Sequence, residues 1–170
     1  VQPPNLGRFF KESLALLLHW KSDETIFMAE CANRPGFSVN FSGNTSKTAA
    51  YPEYVQVVFK WYCKMAKALE RCLESKEYME VRNALHVLTR IIDVFPVMRK
   101  LAAILEPKVD KLRNEERKDL ATLASQYYTM LQKMKPSMQT QDQFGVDTKK
   151  ESKAAAAKAD GGAKPSADAA

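Results

Sequence analysis

In the stretch CLESKEYMEVRNALHVLTRIIDVFP (72–96), apolar side chains recur at Tyr78, Val81, Leu85, Leu88, Ile92 and Phe95. No glycine interrupts the run and Pro96 stops it, so the spacing predicts a helix with one buried stripe. The same period runs through most of the chain. Asn5 is placed to cap a first helix reaching about Trp20. Its Phe9, Phe10, Leu14, Leu17, Leu18 and Trp20 form a broad apolar face, with Arg8, Glu12 and His19 opposite. Ser22 or Asp23 then caps a short helix, ETIFMAECAN, that RPG ends.

Pro52 suits the first turn of a long helix ending near Glu74, with Val55, Val58, Phe59, Tyr62, Met65, Ala66, Leu69 and Leu73 inward. The short SKE link (75–77) predicts that this helix and the next pack as an antiparallel hairpin. Val97, Leu101, Ile104, Leu105, Val109 and Leu112 continue the period across Pro107. That proline predicts a kink, or two short helices meeting there. A last helix over about 115–135 carries Leu120, Leu123, Ala124, Tyr127, Leu131 and Met134 on one side, and Pro136 closes it.

The period fails in two places. Residues 37–50 read as a loop, since FSVNF alternates too briefly for a strand. Near the C-terminus, DTKKESKAAAAKADGGAKPSADAA offers almost nothing to bury. The expected organisation is a helical scaffold domain over 1–136 and a disordered Ala/Lys-rich tail over 137–170. The fold class is all-α: stacked antiparallel helix hairpins, α-solenoid-like, without a clean sequence repeat.

Composition narrows this picture modestly. The 170 residues suit one domain, and 45% hydrophobic content suits an ordinary core. An opening Val1 reads as a piece of a longer protein or a processed chain. Net charge is +6, and the tail's five lysines nearly balance its four acids, so the excess lies in the helices. Such a balance permits an anionic partner. No apolar run approaches the length of a membrane span, and the opening residues do not read as a signal peptide. Cys31, Cys63 and Cys72 form no CxxC pair, which favours free thiols in a reducing compartment over a zinc site. NFS at Asn40 and NTS at Asn44 match the glycosylation pattern by chance in a loop.

Chemistry is scarce. No phosphate-binding, zinc-protease or nucleophile-elbow motif occurs, and His19 and His86 fall on predicted solvent faces of separate helices. The expectation is therefore no enzyme, no cofactor, no metal and no small-molecule substrate. Basic residues are better organised. Lys60, Lys64, Lys67 and Arg71 form one narrow stripe opposite the apolar face of the long helix. Arg82, His86 and Arg90 also point away from the core, on the next helix. The candidate nucleic-acid contacts are thus Lys60, Lys64, Lys67, Arg71, Arg82 and Arg90, and such contacts would be strongly salt-dependent. The competing reading is a solvated face, with Glu53 and Glu74 diluting the first stripe. Trp61, at the stripe's edge, reads as a packing residue rather than a base-stacking platform. RNEERKDL (113–120) reads as a helix entrance laced with ion pairs.

Two stretches carry more than a pattern: HWKSDETIFMAECANRPGF (19–37) and KWYCKMAKALERCLESKEYMEVRNALHVLTRIIDVFPV (60–97). Their W-K-S-D, E-C-x-N-x-P-G-F, C-L-E-S-x-E-Y, R-N-A-L and V-L-T-R-I followed by F-P resemble the large second subunit of the THO complex. The similarity covers about 6–135. It implies an α-solenoid scaffold without catalytic residues, nuclear, serving messenger ribonucleoprotein assembly, mRNA processing and transcription-coupled mRNA export. Implied partners are other THO subunits and a DEAD-box RNA helicase, with mRNA or single-stranded DNA as a further class and no membrane. The tail departs from the family pattern in being short, alanine-rich and weakly charged. Pro107 departs from it too, standing where the helical pattern would hold a charged residue. The alternative function is a helical module that binds RNA directly, its two basic stripes forming one groove.

Overall fold

The computed structural model describes residues 2–32, 34–37 and 48–146. Six α-helices build it: α1 (Pro3–Ser22), α2 (Glu24–Glu30), α3 (Tyr51–Leu73), α4 (Tyr78–Arg90), α5 (Arg99–Arg113) and α6 (Lys118–Met134). Among the described residues there is no strand, and the all-α expectation holds. The Asn40 and Asn44 patterns, most of the expected loop and the tail after Val146 lie outside the described residues.

Local chemistry sets the helix starts. Asp23 caps α2, its carboxylate accepting from the Thr25 N–H at 2.7 Å and the Thr25 hydroxyl at 2.6 Å. These bonds hold the exposed Asp23 carboxyl below the usual carboxylate range. α3 starts with Pro52 in its first turn, while the Glu53 carboxylate reaches back to the Ala50 N–H at 3.0 Å. α1 begins two residues before Asn5, again with proline in its first turn.

The helices lie in two layers, with α3 against α5 in one and α1, α4 and α6 side by side in the other. α3–α4 and α5–α6 are the hairpins bridging the layers, and α2 joins α1 to α3. The stripe on α4 therefore packs on α1 and α6 as well as on its predecessor. Where α4, α5 and α6 meet, Leu85, Leu88, Leu105, Leu120 and Tyr127 have no exposed surface. Each such aliphatic side chain contributes about 1.5–3 kcal/mol relative to an exposed one. A second cluster ties α1 and α2 to α3: Phe27 stacks on Tyr54 at 4.9 Å, and Phe37 meets Trp20 edge-on at 5.5 Å.

Four features differ from the sequence reading. α4 ends at Arg90, and Ile91–Phe95 form turns in which Val94 and Phe95 both donate to the Ile91 carbonyl. The residue before a proline avoids helical geometry, and here Ile91, Ile92, Val94 and Phe95 all turn into the core. Tyr62 closes the bend by donating its hydroxyl to the Val94 carbonyl at 3.1 Å.

Second, α5 passes through Pro107 as one helix. Ala103, whose carbonyl loses its helical donor, and Pro107 are both exposed, so water can replace the bond.

Third, α6 starts at Lys118 rather than near Glu115, because Glu115 instead accepts two bonds from the Arg117 guanidinium, at 3.1 and 2.8 Å.

The fourth concerns the chain after Pro136. Residues 138–146, assigned from composition to the tail, fold back as a clasp. Gln139 pairs with the start of α5 through its N–H to the Val97 carbonyl at 2.9 Å and its carbonyl to the Arg99 N–H at 3.1 Å. Phe144 then enters the core between Phe59 and Tyr62, 6.1 and 5.8 Å away, with the Lys21 ammonium 4.1 Å above its ring. Gly145 makes the turn at φ +89°, against Val55, a conformation glycine adopts without strain. Met138, Phe144 and Val146 are all buried. The helical body thus extends at least to Val146.

Candidate interaction surface

The basic stripe of α3 is present as spaced. Lys60, Lys64, Lys67 and Arg71 are all exposed, and none has an ion-pair partner among the described residues. The acids that would dilute it turn elsewhere. Glu74 and Glu70 approach Lys108 of α5 at 2.5 and 3.7 Å, and Glu53 is engaged at the helix start.

Arg82 and Arg90 do not join this stripe. α3 and α4 pack through their apolar faces, and each basic stripe lies opposite such a face, so the two look outward from different layers. Arg82 is half-buried and close enough to Asp119 of α6 to help hold that carboxyl below its usual range, after the Tyr78 hydroxyl that donates to it. Arg90 lays its stem against α1 at Gly7, where even a methyl group would come within 2.9 Å of its Cβ. Among the described residues, the two stripes do not form a single continuous basic groove.

The sequence reading missed the surface beside the α3 stripe. The Tyr54 and Tyr51 hydroxyls donate to the carbonyls of Leu17 and Lys21, fixing the end of α1 against the start of α3. At the other end of α1, Pro3 and Leu6 lie near Leu69 and Cys72. α1 and α3 are therefore antiparallel, and between them runs an open apolar groove of about 670 Å³. Phe9, Leu16 and Leu17 line one wall, and Trp61, Met65 and Ala68 the other. Phe9 is 64% exposed, Leu16 46%, Val57 42% and Trp61 53%. Trp61, read from the sequence as a packing residue, is covered by no helix among the described residues. It sits on the edge of the α3 apolar face that α1 leaves open. Lys64 lines the groove, and Lys60 stands beside Val57 and Trp61 in the adjoining cleft.

Other polar groups serve the fold. His19 and Trp20 both bond the Glu30 carboxylate, at 3.2 and 2.8 Å, which binds α1 to α2 and keeps the Glu30 carboxyl below its usual range. Cys31 is buried, and desolvation raises its thiol pKa, which makes it a poor nucleophile. Cys63 and Cys72 are half-buried. Among the described residues no group of three or more His, Cys, Asp or Glu could hold a metal ion, and no helix is long and apolar enough to cross a membrane.

Comparison with known proteins adds the family. The family model described as transcription factor/nuclear export subunit protein 2, Tho2, matches residues 4–131. The chain is 43% identical over 141 residues to THO complex subunit 2 of Arabidopsis thaliana, covering 83% of this chain and 8% of that protein. It is 37% identical over 147 residues to the proteins of the same name from Mus musculus and Homo sapiens, covering 81% of this chain and 9% of each. The chain thus spans less than a tenth of the length of these relatives. No solved structure matches it. The matched span takes in most of the helical body and the whole α1–α3 groove, and the chain belongs to the Tho2 family.

Proposed function

We propose that this chain is a non-catalytic scaffold segment of a THO-type complex. In this reading it serves nuclear messenger ribonucleoprotein assembly, mRNA processing and mRNA export coupled to transcription. The relatives' name, THO complex subunit 2, supports a place in that complex. The observation that carries the reading is the open groove between α1 and α3. A folded body that leaves Phe9, Leu16 and Trp61 exposed along one groove has the surface of a partner-binding protein. The partners are other THO subunits first and a DEAD-box RNA helicase second. The mechanism is geometric: hairpins bury one face each, and the remaining faces hold partners in fixed relation.

The test replaces residues 2–146 by a flexible linker within a whole second subunit, then reconstitutes the complex and resolves it by size-exclusion chromatography. Loss of at least one subunit from the complex is expected. Unchanged assembly would sink the scaffold reading for this segment.

A second reading rests on the stripe Lys60, Lys64, Lys67 and Arg71, unpaired among the described residues, whose four cations could contact phosphates of mRNA or single-stranded DNA. Arg82 and Arg90 belong to it only as a separate site. Fluorescence anisotropy with labelled single-stranded RNA across a salt series tests it. A steep salt slope that the double variant Lys64→Glu/Lys67→Glu flattens supports a direct RNA surface. Absence of binding near physiological salt rejects it.

A further inference from the structure

The groove between α1 and α3 has one chemistry inside and another along its edge, and the two together specify an occupant. Inside, Phe9, Phe10, Leu14, Leu16, Leu17 and Trp20 of α1 face Trp61, Met65 and Ala68 of α3. Among the described residues, Ser13 and Lys64 are the polar ones lining it. A floor of this kind offers apolar contact and almost no donors or acceptors. Along its α3 edge, Lys60, Lys64 and Lys67 recur at helical spacing, exposed and without ion-pair partners among the described residues.

We infer that the groove receives an amphipathic α-helix of a protein partner, apolar on one face and acidic along one flank. This rests on the scaffold reading only in taking the partner to be a protein. Two antiparallel helices with an open apolar seam lack the third helix that would complete a bundle, and helices pack at about 8–10 Å between axes. Apolar anchors of the incoming helix at i, i+3/i+4 and i+7 would fill the space over Leu17, Met65 and Ala68. Glu or Asp at the same spacing on its flank would meet Lys60, Lys64 and Lys67. Trp61 sits between the two zones, half-exposed, where a docked helix would cover its ring. Nucleic acid suits the stripe but not the floor. Bases stack on aromatic faces and are read by hydrogen bonds, and the aromatic rings of this floor are interspersed with aliphatic side chains and accompanied by almost no donors or acceptors.

The test uses the chain as it stands with three labelled probes in fluorescence anisotropy. One is a synthetic helical peptide with leucines on one face and glutamates on the flank. The second has the same leucine face with lysines on the flank. The third is a single-stranded RNA of similar length. The acidic peptide should bind, and Trp61→Lys should weaken it on the order of tenfold. Lys60→Glu/Lys64→Glu should reverse the preference between the two peptides, with circular dichroism confirming an unchanged fold in both variants. Equal binding of both peptides would leave a generic apolar patch and overturn the acidic-helix assignment. Binding of RNA with no binding of either peptide would overturn it in favour of a nucleic-acid face. The reconstitution experiment reads scaffold function separately, so a groove that ignores both peptides in a segment still required for assembly refutes this inference and leaves the scaffold reading standing.

Discussion

The closed seam where α4, α5 and α6 meet and the open groove between α1 and α3 are built from the same kind of sequence. Both are amphipathic helices whose apolar side chains recur at helical spacing. In the seam, Leu85, Leu88, Leu105 and Leu120 are covered on every side. In the groove, Phe9, Leu16 and Trp61 remain exposed. The seam is closed because α4, α6 and α5 form a ring with α3, each helix lying against two others, whereas α1 lies chiefly against α4 and leaves one flank of α3 uncovered. An apolar face on a helix therefore calls for a cover. It does not state that the cover is in the same chain.

The largest effects should come from truncations inside the closed region. Leu105→Ala should cost about 2–5 kcal/mol and Phe144→Ala about 3–5 kcal/mol, measured as shifts of the urea midpoint at unchanged slope. The second variant decides whether the clasp belongs to the closed region at all. A loss below about 0.5 kcal/mol, the scale of surface substitutions, would return residues 138–146 to the tail.

Next comes the contact that sets where α1 lies. Alanine favours a helix more than glycine does by up to about 1 kcal/mol. At Gly7, however, an added methyl meets the Arg90 Cβ at 2.9 Å and Cγ at 3.0 Å, near the root of that side chain where little can move aside. Gly7→Ala should therefore destabilise by about 1–3 kcal/mol as α1 is pushed from α4. A stabilised variant would show that the α1–α4 approach is loose, and that the groove has no fixed width.

A smaller effect guards the rim of the closed seam. Glu106 of α5 accepts from Lys135 and Gln132, each at 2.6 Å. The Lys135 bond is the main cause holding its carboxyl below the usual range, against the opposing effect of partial burial. With the folded-state value depressed, the contribution is present above the unfolded value of about 4.3 and is lost as pH falls through the folded value. The partners are partly exposed, so the contribution should stay below about 1 kcal/mol. Urea midpoints of the wild type and Glu106→Gln should differ at pH 7 and converge near pH 3. A gap that persists at pH 3 would assign the effect to packing instead.

Much of this architecture is legible in the residues. The bounds of α3 follow from Pro52, the apolar period and the SKE link, and the stripe of Lys60, Lys64, Lys67 and Arg71 follows from spacing alone. Periodicity names the face of a helix but not its neighbour. That is why Arg82 and Arg90 looked like an extension of the stripe, and why Trp61 looked covered. The clasp was hidden for another reason. In SMQTQDQFGVD the apolar residues follow neither a helical nor a strand period, and the surrounding glutamines resemble a linker. The available signal was Phe144 and Val146 flanking a glycine, two large apolar side chains that a solvated tail has no use for.

The smallest expected effect is the one that separates the two regions most sharply. Trp61 is the largest residue type in the chain and lies on the same helix as Tyr62, which is fully buried and bonded to Val94. Size alone would make Trp61→Lys the most damaging substitution in α3. The ring is 53% exposed, however, and a lysine there extends an exposed face that already carries Lys60 and Lys64. The midpoint should move by no more than about 0.5 kcal/mol, as for an ordinary surface site. A loss of about 3 kcal/mol or more, the scale of a core aromatic, would mean that the groove closes on itself in solution. The distinction between a seam completed within the chain and one awaiting a partner would then collapse. An unchanged midpoint together with lost binding of the acidic peptide would fix Trp61 as a residue held for an interface, at no cost to the fold that presents it.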